Sequence, residues 1–356
     1  MEVTRITAPS PKGPIEIFRL VNACGCAVEL SSLGAGIISV EVPDRNGNIA
    51  NVALGYASPA DYLYDGPCMG KTPGRYANRI ANGRLQIGCD VYQLATNNGP
   101  NALHGGPEGF QNQNWMAEEI TDGVRFTLIS PDGDEHYPGT LRVTVEYRWS
   151  DDNILDITLS ATTDRETVVN LTNHTYWNLR GADSGSVLSH LMQMRASRYL
   201  PTDETLVPTG ELAPVSGTPM DFTSPKELGR DIKADFPVLK FGKGYDACWA
   251  IDEWQSGRFE PQAVRISDPG SGRVLTVGTD QPGVQVYTGN WLEGSPLNRS
   301  GRTYHDYEGV AVEAQGFPDA PNRTVATGAD RQAFPSQLLR PGELYRRRIT
   351  YTFTTL

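Results

Sequence analysis

Leu141-Arg142-Val143-Thr144-Val145-Glu146-Tyr147-Arg148-Trp149 alternates apolar and polar residues without a break. Successive side chains of a strand point to opposite faces, so Leu141, Val143, Val145, Tyr147 and Trp149 share one face and the charged residues the other. The period predicts a half-buried β-strand. A turn-forming cluster, Ser150-Asp151-Asp152-Asn153, comes next. The alternation then resumes, with Leu155, Ile157, Leu159 and Ala161 set against Asp156, Thr158 and Ser160. Two such runs joined by a short polar turn read as an antiparallel hairpin.

The pattern extends outward from this hairpin. Val124, Phe126 and Leu128 repeat it earlier in the chain, and Ile349, Tyr351 and Phe353 repeat it near the end. One-sided alternation marks antiparallel sheet with one wetter face. Glycine (37) and proline (25) are frequent and fall between the runs, as in Pro131-Asp132-Gly133-Asp134 and Asp268-Pro269-Gly270, which are turn signatures. Helical periodicity is scarce, and Ser58 as N-cap with Pro59 behind it predicts one short helix over 58–64. No low-complexity tract, flexible linker or repeat divides the 356 residues. The reading is all-β: one large antiparallel β-sandwich domain over 1–356 with few short helices.

With 31 Lys and Arg against 42 Asp and Glu, the net charge is −11. Phosphate neutralisation needs clustered cations, so nucleic acid is excluded as a partner. The densest basic run, Arg346, Arg347 and Arg348, reads as a solvated strand entrance. Five cysteines, odd in number and without Cys-x-x-Cys or zinc spacing, point to ordinary thiols in a reducing, cytoplasmic compartment and to no metal site. MEVTRITAPSPKG lacks the apolar core of a signal peptide, and no stretch approaches the roughly 18 apolar residues of a membrane span. The expected partner is a neutral small molecule bound by a monomer or homodimer, with no membrane contact.

Three regions break the alternation with unusual groups. The first runs Gly74-Arg75-Tyr76-Ala77-Asn78-Arg79-Ile80, then Asn97, Asn98, and Asn101-Ala102-Leu103-His104-Gly105-Gly106. Glycines after a histidine leave room for a ligand to approach the backbone, although His104 could equally satisfy a turn carbonyl. The second is Asn170-Leu171-Thr172-Asn173-His174-Thr175-Tyr176-Trp177-Asn178-Leu179. As a strand it would put Asn170, Thr172, His174 and Tyr176 on one face, too polar for a core, so that face is expected to bind a ligand or to meet solvent. The third comprises Gly244-Tyr245-Asp246, Gln285 to Trp291, and Gly309 to Gln315. Glu313 stands there among apolar residues, where a carboxylate is either paired or functional.

These segments, in this order and approximate spacing, resemble the aldose 1-epimerase (galactose mutarotase) family over most of the chain. LHGG, NHTYWNL and the late glutamate carry the resemblance together. It implies the large antiparallel supersandwich of galactose mutarotase-like proteins and the interconversion of α and β anomers of an aldohexose. It implies that Glu313 is the general base on the C1 hydroxyl and His174 the general acid towards the ring oxygen. Asn78, Arg79 and His104 would hold the sugar and its developing charge, Asp246 would bind ring hydroxyls, and Gln285 matches a further substrate-binding position. The family usually has a histidine or other polar residue after this aspartate, whereas Ala247 follows here, so the sugar contact at that edge is expected to differ.

Opening a pyranose hemiacetal removes a proton from O1 and delivers one to the ring oxygen. Glu and His, with ordinary pKa values of about 4.3 and 6.5, bracket the range from which burial can tune a base and an acid. Rotation about C1–C2 exposes the other aldehyde face, and the chemistry calls for no cofactor. Arg79 stays protonated and can only position and stabilise charge. Trp177 and Trp291 could stack on a sugar face or fill the core. Three other functions fit some of the same residues: a glycoside hydrolase using Asp246 and Glu313, a non-catalytic carbohydrate-binding protein, and an epimerase of hexose 6-phosphates.

Overall fold

The computed structural model describes residues 1–323 and 333–356. The predicted hairpin is present, as strands Leu141–Trp149 and Ile154–Thr163 paired from Leu141↔Thr163 to Trp149↔Leu155. It is the middle of a nine-stranded sheet. In spatial order this holds Met116–Ile120, Gly123–Ser130, the hairpin, Tyr345–Thr355, Arg273–Thr279, Glu260–Ser267, Leu191–Met194 and Lys226–Glu227. A five-stranded meander, from Glu2–Ala8 through Ile15–Val21, Ala27–Ser31 and Gly36–Pro43 to Ile49–Asn51, forms a second sheet. The third is six-stranded, ordered Tyr176–Trp177, Val310–Gln315, Gly283–Tyr287, Asp246–Ala250, Arg198–Leu200 and Ala213–Pro214.

The nine-stranded sheet supplies the common core surface. Leu141, Val143, Val145, Tyr147, Leu155, Ile157 and Leu159 are wholly buried, each contributing at most about 1.5–3 kcal/mol by leaving water. Towards the meander, Phe126 meets Phe18 edge-on with ring centroids 6.1 Å apart, and the Trp149 indole donates to the Cys26 carbonyl at 3.2 Å. Towards the six-stranded sheet, Tyr351 and Phe353 enclose Trp177 at 4.9 and 5.4 Å. One continuous apolar cluster therefore reaches from Phe18 to Phe353.

Three local expectations need adjustment. The helix near Ser58 is a single 3-10 turn, Pro59–Tyr62, with the Ser58 hydroxyl accepting from the Ala60 amide at 3.3 Å. The last strand starts at Tyr345, earlier than the alternation from Ile349 implies; Arg346, Arg347 and Arg348 follow as its solvated entrance, pair with Ser160, Leu159 and Thr158 across the ladder, and Arg348 forms an ion pair with Asp156. The Asn170–Leu179 segment is strand only at Tyr176–Trp177, because its amides are used otherwise: Asn170 bonds Ala77 O at 3.1 Å and receives Gly316 N at 2.8 Å, while Asn173 donates to Gly70 O at 2.9 Å. Among the described residues, no helix is long and apolar enough to cross a membrane.

The end of this segment is fixed by a buried histidine. His190 Nε2 accepts from the Leu179 amide at 2.9 Å, and burial pushes its pKa down to about 4. The unfolded chain takes up this proton near pH 6.5 and the folded protein does not until about 4. This group's contribution to stability is thus complete above 6.5 and falls by about 3 kcal/mol as the pH drops through that window. Denaturant unfolding of His190→Gln, which keeps an acceptor but cannot titrate, should show a correspondingly flatter decline between neutral and mildly acid pH than the unaltered protein.

Candidate active site

The six-stranded sheet has two unlike faces. Ala247, Trp249, Val284, Val286, Val312 and Ala314 point into the apolar cluster. Their strand neighbours Asp246, Gln285, Tyr287 and Glu313 point the other way, with Asp246 paired to Tyr287 and Gln285 to Glu313 across the ladder. Above that second face lies a cavity of about 530 Å³. Asn78, Arg79, His104, His174, Asp246 and Glu313 all line it, with an aromatic wall of Tyr176, Tyr287, Trp291 and Phe241.

His174 and Glu313 converge there, 3.5 Å apart between Nε2 and Oε1, with side chains 6% and 2% exposed. Two backbone bonds clamp the histidine: its amide donates to Lys71 O and its carbonyl accepts from Gly70 N, both at 2.9 Å. Burial pushes His174 down to about 4, the Lys71 charge adding to the effect. It drives the Glu313 carboxyl well above the usual range, reinforced by repulsion from Asp246 and opposed by Arg79. The same cause acts on both partners and favours whichever form is neutral. Between the lowered His174 and the raised Glu313 the pair carries one proton, and its titration belongs to the pair.

His104 stands next to His174, ring centroids 5.2 Å apart and nearly perpendicular. Its Nδ1 accepts from the Asn78 amide at 3.1 Å while its own amide donates to Asn78 O at 3.0 Å, which locks both residues in left-handed backbone conformations. Burial, with Arg79 and Lys71 nearby, keeps the His104 pKa well below its usual value. Arg79 donates to Asn98 Oδ1 at 3.0 Å and approaches Asp246 at 3.7 Å. Gln285 does not reach the cavity wall. Its amide donates to Asp246 Oδ1 at 2.6 Å, so it orients that carboxylate from behind.

Several sequence expectations resolve differently. The glycines after His104 serve packing: a Cβ on Gly105, at φ +83°, would lie 2.0 Å from the Gly74 carbonyl oxygen, and one on Gly106 would strike Glu135. Of the supposed polar face, only His174 and Tyr176 line the cavity; Asn170 is used within the fold and Thr172 is wholly buried. Trp177 is a core residue, whereas Trp291 is 48% exposed at the rim and stacks on Tyr287 with planes 19° apart. Ala247 points into the core opposite Val286, so a residue there cannot touch a sugar and no edge contact is altered. Sequence reasoning missed Phe241, although Pro237 and Gly242 bracketing the helix Pro237–Gly242 are its signal. It also missed the walls formed by Pro67 and Leu206, which carry no pattern.

The family profile described as Aldose 1-epimerase matches residues 16–352. The chain is similar to the galactose mutarotase of Homo sapiens, 41% identical over 97% of this chain and 96% of that one. It is also similar to the aldose 1-epimerase of Escherichia coli strain K12, 38% identical over 97% of both. Among solved structures it resembles a Caenorhabditis elegans aldose epimerase homologue, with TM-score 0.84, 30% identity and coverage of 96% and 99%. A galactose 1-epimerase from Lactobacillus acidophilus gives 0.83 and 27%, covering 99% of each chain.

The contrasting tryptophans are separable by experiment. Trp291→Ala should weaken hexose binding about 3- to 10-fold, the size of one lost aromatic contact, with an unchanged melting temperature. Trp177→Ala should cost about 3–5 kcal/mol of stability. Calorimetric titration and thermal melts of the two variants compare these outcomes directly.

Proposed function

We propose that this chain, which belongs to the aldose 1-epimerase family and is an isomerase interconverting the α and β anomers of a hexose, works through Glu313 and His174 as opposed proton-transfer partners, with galactose or glucose as the sugar. The observation that carries the assignment is the convergence of these two side chains on one cavity of sufficient size, 3.5 Å apart.

Ring opening moves two protons. Ionised Glu313 takes the proton of the C1 hydroxyl while protonated His174 gives one to the ring oxygen, so the pair passes from charge-separated to neutral. Closure on the other aldehyde face runs the two transfers backwards. The proton count of the pair is the same before and after, which is why one shared proton suffices. Burial favours the neutral form reached on opening, while the Arg79 charge and sugar hydroxyls donated to Glu313 favour the ionised form that begins it. Arg79 keeps its own proton and acts on developing charge. Asp246, steadied by Gln285, would hold ring hydroxyls together with Asn78 and His104, all three lining the cavity.

A neutral sugar suits the cavity better than a phosphorylated one, because among the described residues Arg79 is the sole cation on a wall that also carries Asp246, Glu313 and Glu204. A histidine rather than a second carboxylate beside Glu313 favours mutarotation over glycoside hydrolysis. The location we favour is the cytoplasm: all five cysteines are unpaired, with Cys24 and Cys89 exposed.

Polarimetry of freshly dissolved α-galactose or α-glucose should show faster decay with the protein present, and Glu313→Gln should reduce kcat by about 10²–10⁴-fold. Wild-type protein that leaves the decay unchanged refutes the assignment. The pH profile of kcat should be flat from mildly acid to neutral pH and fall on the acid side near pH 4, where the pair takes up a second proton and no base remains. On the alkaline side it should fall where the raised Glu313 carboxyl finally ionises and no acid remains.

A further inference from the structure

Behind the cavity, outside its lining, sits an ion pair that the reaction as written does not use. Lys71 and Asp65 have side chains 1% and 0% exposed and are in direct contact. The Lys71 ammonium also donates to Tyr62 O at 2.5 Å and Asn112 Oδ1 at 3.4 Å. Asp65 accepts from the Met69 amide at 2.7 Å and the Tyr56 hydroxyl at 3.1 Å, so both charges are paired and hydrogen-bonded as burial demands. The lysine stem runs tightly past the backbone: a Cβ on Gly34, at φ +67°, would lie 2.8 Å from Lys71 Cγ.

This one residue touches the supports of both imidazoles. Its carbonyl receives the His174 amide at 2.9 Å. Its ammonium holds Asn112, whose amide in turn donates to Pro107 O at 2.8 Å in the loop that begins at His104. Asp65 opens the Gly66–Pro67 wall of the cavity, where Pro67 O accepts the Tyr176 hydroxyl at 2.9 Å.

We propose that the Lys71–Asp65 pair is a positioning element of the epimerase reaction: it fixes the two histidine-bearing segments against each other and keeps a positive charge behind both imidazoles. The proposal rests on the acid–base reading of His174 given above. The groups facing His174 are Glu313, His104, Tyr176, Tyr287 and, from behind, Lys71; those facing His104 are His174, Arg79 and Lys71. Cys68, a buried thiol kept neutral by its burial, feels the charges of Lys71, Asp65 and Glu313. Of these groups, Lys71 is the one cation that acts on both rings without lining the cavity, and it disfavours protonation of each.

The test is Lys71→Met combined with Asp65→Asn, which removes both charges together and strands neither. The acid limb of kcat should move to higher pH by a fraction of a unit up to about 1, because loss of the nearer ammonium is partly offset by loss of its carboxylate partner, and the imidazoles of His104 and His174 should move the same way in an NMR titration without sugar. A variant that merely melts earlier, with imidazoles titrating as in the unaltered protein, overturns the proposal. The NMR arm needs no turnover, so it stands or falls separately from the mutarotase assignment. In the unaltered protein, imidazoles that charge near pH 6.5 overturn the proposal as well, whether or not the variant folds.

Discussion

Glu313 occupies the centre of a buried strand at 2% exposure, and among the described residues no hydrogen bond reaches its Oε2. Isolating a carboxylate in this way is among the most expensive things a fold can do, and the surrounding architecture answers it. An imidazole stands against one oxygen, a guanidinium contributes attraction from the side, and the cavity leaves room for hydroxyl groups to supply further donors. Without the sugar, the least costly state is a protonated acid beside a neutral ring. A bound polyol that donates hydrogen bonds to the carboxylate shifts that balance, so ligand binding and readiness for proton transfer are the same event.

The two-faced six-stranded sheet makes such a site affordable. Its apolar face is part of the common core, which holds Gln285, Tyr287 and Glu313 in register to within the spacing of the ladder. The segment bearing His174 joins the sheet only at Tyr176–Trp177 and is otherwise fixed through Asn170, Asn173 and the bonds to Gly70 and Lys71. Rigid strands thus place the carboxylate, and a web of buried amides places the ring opposite it.

How much of this was legible in the sequence depended on the range of the interaction. Leu141 to Ala161 announced a hairpin because period two admits few other readings, and the fold class followed. The order of strands did not show, since Ile157 pairs with Ile349 and nothing local to either encodes that distance. Within the site, His104, His174 and Glu313 stood out as polar groups interrupting apolar or glycine-rich runs. Lys71 did not, because lysine is ordinarily a surface residue and only its partner Asp65 reveals that it is buried. Ala247 misled for a simple reason: adjacency along a strand is opposition in space, so the residue after Asp246 belongs to the core.

The Tyr345–Thr355 strand lies between Ile154–Thr163 and Arg273–Thr279, in the interior of the largest sheet rather than at its margin. On the ribosome it emerges after every segment it joins. Until it arrives, two long strands present open ladders to solvent or to a chaperone, and the halves of the sheet have no seam. Premature termination shortly before residue 345 would therefore leave a sticky, half-zipped chain rather than a slightly shortened enzyme.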